Sequence, residues 1–358
     1  MTPLARQIAS QIRLSGPMAL DDYMRLCLLH PQHGYYATRD PFGAAGDFTT
    51  APEISQMFGE ITGLALAQAW LDQGRPAPFT LAEIGPGRGT LMGDILRVIA
   101  RVPGMTEAAE VTLIEASPHL RGVQRQRLGS IRHLDQAADL PEQPLFLIAN
   151  EFFDALPIRQ FQQDGGTWAE RVVALDPSGA LTLGLAHRDP DPILPPPQAL
   201  PAGTVLETCP EARPIIAQIA ARIARHGGAA ILIDYGGWAG QGDTFQALRA
   251  HAPEDVLAHP GEADLTAHVD FAPLAAVARQ AGAGVSALIP QGDWLLRLGI
   301  EARARRLAAA GDAGAMAALH RLTAPGEMGH LFKVLALWAP AAPVPPGFDA
   351  LDPDADHA

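Results

Sequence analysis

The spacing of apolar and polar positions changes character along the 358 residues of the chain. The first third reads as helical. Ile8 and Ile12 share a face, Gly16-Pro17 interrupts, and Asp21–Leu29 resumes a helix that His30-Pro31 ends. A long aperiodic stretch follows, HGYYATRDPFGAAGDFTTAPE, rich in glycine and aromatics; loops of that length inside a compact chain are commonly lids or binding loops. It ends in Thr50-Ala51-Pro52-Glu53, which matches a capping box with proline in the first turn. Ile54, Met57, Phe58, Ile61 and Leu64 then recur at helical spacing, predicting a helix with one buried stripe.

From Thr80 the rhythm becomes short apolar runs alternating with helical patterns. Thr80–Ile84, Val111–Ile114, Leu145–Ala149 and Ala229–Ile233 each run apolar and then meet a polar or glycine-rich segment, as strands of a parallel sheet covered on both faces do. Helices are predicted between them at Thr90–Ala100, Pro118–Leu128 and Glu211–His226. Ile158–Leu185 alternates around a Gly165-Gly166 turn and predicts antiparallel hairpins, and the proline-rich ILPPPQALP after it reads as a linker. A helix from Phe271, an apolar run Val285–Ile289, a helix around Gly299–Ala310 and a last strand Leu331–Trp338 follow. The expected organisation is a helical segment with a covering loop (1–78), a core (79–240) with a β insertion over about 158–204, and a helical accessory segment with a core helix and strand (241–327). A final core strand (328–340) and a disordered tail (341–358) complete it.

Composition narrows the class. With 48% hydrophobic and 18% charged residues the chain is an ordinary globular protein. The formal net charge of −13 repels a phosphate backbone, and the densest basic run, Arg121–Arg127, reads as a solvated helix face, so no nucleic-acid partner is expected. No apolar run approaches the roughly 18 residues of a membrane span. The first residues lack signal-peptide or transit-peptide character, which predicts a cytoplasmic protein. Cys27 and Cys209 are expected as buried free thiols. His30 and His33 lack a matching acid or cysteine; His259, His268 and Asp270 could meet in space, but their spacing does not mark a site, so no metal is expected.

The chemistry concentrates in LAEIGPGRGTLMGDIL (Leu81–Leu96). A Walker loop requires a lysine that is absent here, and the third glycine of a dinucleotide fingerprint falls on Thr90. What stands is E-x-G-x-G-x-G: Glu83, Gly85, Gly87 and Gly89. This suits S-adenosyl-L-methionine, whose carboxylate can sit at a helix N-terminus, whose cationic groups welcome an acid, and whose approach needs positions without a Cβ. Glu115, directly after Val111–Ile114, is placed to accept ribose hydroxyls, although an acid there also serves NAD.

A second constellation follows Leu145–Ala149: Asn150, Glu151 and Asp154, with Asp234 ending Ala229–Ile233 at the same sheet edge. Glu151 and Asp154 are three apart, so a helical turn would bring them to one side. Two carboxylates are the natural clamp for a guanidinium, binding it through bidentate charge-assisted bonds and aiming its nitrogen. The competing reading of this stretch is an N-capping cluster.

Gly46–Glu60, Glu83–Leu96, Ala149–Phe161, Leu232–Gly237, Asp264–Phe271 and Met328–Leu337 together resemble, in order, the blocks of the MidA / mitochondrial complex I assembly-factor 7 family. The resemblance spans about residues 5 to 338. It implies an α/β fold with a Rossmann-like seven-stranded class I methyltransferase core, a mainly helical accessory portion and a β-hairpin insertion. It also implies S-adenosyl-L-methionine as cofactor and protein-arginine N-methylation of a complex I subunit during assembly. Carried over by residue, Glu83, Gly85, Gly87, Gly89, Glu115 and Asn150 bind the cofactor, with Gly46, Asp47 and Thr50 in the segment that closes over it. Glu151 and Asp154 face the acceptor, and with Asp234, taken from its place at the same sheet edge, they are the expected catalytic set. A protein substrate and a homodimer are the partners it admits. The lack of a targeting pattern points to a bacterial cytoplasmic relative. A methyltransferase for another acceptor, a non-catalytic assembly factor and an NAD-dependent oxidoreductase are the alternatives.

Overall fold

The computed structural model describes residues 1–38, 50–240 and 242–351. The chain divides into two compact units. One comprises Met1–Phe48, Asp154–Ala212 and Ala239–Asp270; the other comprises Thr49–Phe153, Arg213–Trp238 and Phe271–Ala358.

The second unit is built on a sheet whose main strands are β1 (Phe79–Ile84), β2 (Ala109–Ile114), β3 (Arg132–Leu134), β4 (Leu145–Asn150), β5 (Gly228–Gly237) and β6 (Phe332–Trp338). Its order is Gly284–Val285, β6, β5, β4, β1, β2, β3. Neighbours from β5 to β3 are parallel, and β6 is antiparallel to β5. These are the seven positions expected. β1 and β4 are buried along their whole length, which explains why they read as unbroken apolar runs. The chain leaves β1 outward to β2 and β3, then returns to β4 on the other side. The strand order therefore reverses between β1 and β4, and ligands of open α/β sheets bind at the carboxyl ends of such a pair.

Helices α1 (Gln56–Asp72), α2 (Thr90–Ile99) and α3 (Pro118–Leu128) belong to this unit. The predicted single stripe on α1 is corrected. Eleven of its residues are buried around most of its circumference, and Leu64 is exposed. Gly59 and Gly63 make this possible: a Cβ at Gly59 would lie 2.5 Å from the Cβ of Asp94, and one at Gly63 would lie 3.1 Å from Ile95 Cα. α1 and α2 thus approach almost backbone to backbone, which is why α1 goes with the core rather than with the N-terminal segment.

The tail is also corrected as far as residue 351. Phe348 is buried against Trp294, the Leu351 N–H donates to Val285 O at 3.0 Å, and Arg297 pairs with Asp349 at 3.0 Å. Proline-rich composition reads as disorder, but here a buried aromatic, backbone bonds and an ion pair hold the segment.

The other unit packs the helices Pro3–Ser15 and Leu20–Leu29 with the insertion. Arg159–Asp164 and Thr167–Leu175 form the expected hairpin, turned by Gly165 (φ 56°) and Gly166 (φ 88°). With Leu181–Ala186, Val205–Thr208 and Met18–Ala19 they make a five-stranded sheet. The supposed linker is structured: Leu194 and Leu200 pack against Phe161, Trp168 and Leu206, and the Trp168 indole donates to Pro195 O at 3.0 Å. Residues expected in a helical accessory segment instead give a three-stranded sheet of Ala252–Glu254, Gln246–Arg249 and Asp264–Thr266, assigned with the N-terminal helices.

Candidate active site

The glycine loop between β1 and α2 is left-handed at three positions, with φ of 67° at Gly85, 51° at Gly87 and 74° at Gly89. L-residues with a side chain rarely adopt that region, so the alternation of glycines is a backbone requirement. Space imposes a second one at Gly85, where a Cβ would lie 2.8 Å from Phe152 Cδ2. The Gly89 N–H donates to Pro86 O at 2.7 Å and closes the turn into α2.

Glu83 lies beneath this loop, almost fully buried. Burial raises its carboxyl pKa well above the ordinary value, a bond from the Met92 backbone N–H opposes that, and the acids Glu115 and Asp94 add to it. Among the described residues its Oε2 has no hydrogen-bond partner. A buried acceptor left open is a place for a ligand donor. Thr90, where a dinucleotide loop would carry its third glycine, instead donates its hydroxyl to Glu53 and accepts from Arg127 at 2.7 Å.

Glu115 follows β2 and is also buried. Desolvation raises its pKa, opposed by bonds from the Ser117 N–H (2.7 Å) and the Gln124 amide (3.3 Å). Arg121 is not simply a solvated charge: its guanidinium donates to Glu115 O at 2.7 Å and Leu134 O at 3.0 Å, capping the ends of two strands.

At the end of β4, Asn150 is buried with Oδ1 unpartnered among the described residues, and its Nδ2 donates to Glu151 Oε1 at 2.9 Å. The Ala51 N–H donates to the same oxygen at 3.0 Å. Glu151 has φ 52°, a conformation a non-glycine residue adopts only when its surroundings impose it. The helical turn that would pair Glu151 with Asp154 is therefore absent. Asp154 is assigned to the other unit, where it is buried and its carbonyl accepts from Ala267 N at 3.0 Å. What is corrected is the helical turn from which the spacing argument started.

Asp234 is bound to the backbone around it. It is fully buried, its Oδ2 accepts from the backbone of Phe152 (3.2 Å) and Phe153 (2.9 Å), and its Oδ1 accepts from Tyr235 (3.0 Å). It positions the turn that carries Glu151. Thr50 uses its backbone rather than a side-chain cap, accepting from Glu53 N and Ile54 N; the side-chain cap of α1 is Ser55. Gly46 and Asp47 lie outside the described residues. Sequence reasoning missed Gln124, Ala51 and Phe152; the first looks like any polar position on a helix rich in arginine.

Three left-handed glycines, an open buried carboxylate oxygen beneath them and an acid past the next strand fit a small ligand with cationic and hydroxyl groups. Residues 61–289 match the sequence model of a family described as "Putative S-adenosyl-L-methionine-dependent methyltransferase". The chain belongs to this methyltransferase family. S-adenosyl-L-methionine is accordingly its cofactor.

The mitochondrial protein arginine methyltransferase NDUFAF7 of Danio rerio is 36% identical to it, covering 93% of this chain and 86% of that protein. The Homo sapiens protein of the same name is also 36% identical, covering 86% of this chain and 76% of its own length. A Burkholderia thailandensis protein solved bound to S-adenosyl-homocysteine superposes with a TM-score of 0.83 at 28% identity, covering 96% of this chain and 93% of that one. The cytoplasmic expectation is corrected by these findings, since the curated relatives are mitochondrial proteins. Among the described residues no helix is long and apolar enough to cross a membrane, and no group of ligating side chains could hold a metal ion. His259 instead pairs with Glu254 at 3.0 Å.

Proposed function

We propose that this methyltransferase acts on arginine side chains of a protein, with Glu151 orienting the guanidinium. The carrying observation is Glu151 itself, a carboxyl side chain fixed at the carboxyl end of β4, on the strand neighbouring the glycine loop's β1. Its Oε1 is held by Ala51 and Asn150 in a conformation the backbone would not choose unaided. The relatives named as protein arginine methyltransferases support the same acceptor.

In this reading Glu83, Gly85, Gly87, Gly89 and Glu115 hold the cofactor, with Asn150 and Thr50 beside them. When bound, S-adenosyl-L-methionine supplies an electrophilic methyl group. The protein's part is alignment: a carboxylate of fixed position binds the planar guanidinium and places one nitrogen for transfer, which lowers the barrier by orientation and charge. Asp234 serves that alignment through the 152–153 backbone. The finer substrate reading is a subunit of respiratory complex I or its equivalent, methylated during assembly.

Labelled methyl transfer from S-adenosyl-L-methionine to peptides differing only in arginine or lysine tests the acceptor. The expected result is label on arginine alone; equal labelling of lysine would contradict the role given to Glu151.

A further inference from the structure

Neither the family match nor the motifs assign a role to Gln124. Gln124 on α3 is completely buried, a costly place for an amide unless every polar atom is used. Its Nε2 lies 2.6 Å from Gly87 O and 3.3 Å from Glu115 Oε2, and its Oε1 lies 2.8 Å from His133 Nε2. One side chain therefore bridges the middle glycine of the loop after β1, the acid after β2 and a histidine on β3.

The chemistry fixes the orientation of each member. Gly87 O and Glu115 Oε2 are both acceptors, so the amide nitrogen must face them and the amide oxygen must face His133. His133 must then donate from Nε2, leaving its Nδ1 as the unprotonated nitrogen. That Nδ1 is buried without a partner among the described residues, which suits a lone pair better than a second N–H.

We infer that Gln124, oriented by His133, sets the positions of Gly87 and Glu115 relative to each other and so pre-organises the cofactor site. The inference rests on Glu115 meeting the cofactor's ribose. Without the amide bridge the Gly87 carbonyl and the Glu115 carboxylate lose their common donor. The loop and the acid then adopt their binding arrangement only at a cost drawn from affinity.

Calorimetric titration with S-adenosyl-homocysteine tests this. Gln124→Leu, which keeps the bulk and removes both donors, is expected to bind at least about tenfold more weakly, the worth of one hydrogen bond to a charged group. In the Glu115→Ala background the same change is expected to cost less than about threefold, because groups acting as one unit are not additive. Affinity within about twofold of wild type, or the same loss in both backgrounds, would overturn the inference. Glu115→Ala alone tests the underlying assignment: wild-type affinity there overturns the ribose role, whereas a loss there with none in Gln124→Leu overturns only the bridge. Should Gln124→Leu not fold, the histidine reports in its place. His133→Leu is expected to weaken binding by about threefold and His133→Gln, which can still donate to Gln124 Oε1, to restore it. Equal affinities in those two variants would also overturn the inference.

Discussion

Glu115 follows β2 and Asp234 lies near the end of β5, two buried acids at the carboxyl edge of one sheet. The first accepts from the Ser117 and Ala116 backbone and from the Gln124 side-chain amide, and is the acid proposed to meet the cofactor's ribose. The second accepts three backbone N–H groups and is used up by the fold. Glu151, between them in chain order, is a third case: its Oε1 is held by Ala51 and Asn150 while its backbone takes a strained shape. The same residue type after a strand can thus bind, position or scaffold. What separates the cases is the kind of donor: the bonds named for Asp234 all come from backbone N–H groups, whereas Glu115 and Glu151 each also accept from a side-chain amide.

That contrast orders the expected effects of mutation. The scaffold should fail most severely. Asp234→Ala leaves buried N–H groups of Phe152 and Phe153 without their acceptor and should cost about 3–5 kcal/mol of stability, read by chemical denaturation. A loss below about 1 kcal/mol would move Asp234 from scaffold to site. Next is the acceptor side: Glu151→Gln should lower methyl transfer at least about 100-fold, roughly 2.7 kcal/mol at the barrier, in single-turnover assays. Glutamine keeps the shape but can turn an N–H toward the guanidinium. The cofactor side comes third, with Glu115→Ala weakening S-adenosyl-L-methionine binding by roughly 1.5–3 kcal/mol for each charged hydrogen bond lost.

The smallest effect concerns Glu83 and has a definite sign. Burial raises its pKa in the folded protein, so over the interval above the ordinary glutamate range the folded state holds a proton that the unfolded chain has released. Stability without cofactor should therefore fall as pH rises through that interval, and Glu83→Gln should flatten the fall. Parallel stability–pH curves for wild type and variant would contradict a raised pKa at Glu83.

The sheet was legible in the sequence because strands buried on both faces leave runs such as LFLIAN that little else produces. The glycine loop was legible because backbone shape and close approach both demand glycine. The three-stranded sheet of the other unit was not, since strands of three or four residues are too short to show a period. The Glu151 turn was misread because nothing in EFFDA announces a left-handed glutamate; the shape comes from Asp234 and Ile233, more than eighty residues away, binding the backbone of residues 151–153. Gln124 was silent for a similar reason, its partners converging from three separate strand ends.

The central claim is that binding and transfer are divided between the two sides of this edge. Measuring cofactor affinity and single-turnover rate on the same preparations of Glu115→Ala and Glu151→Gln tests it most directly. The account predicts a crossed result: Glu115→Ala loses about tenfold or more in affinity, while Glu151→Gln keeps affinity within about twofold and loses about 100-fold in rate. Parallel losses of affinity and rate in Glu151→Gln would contradict it.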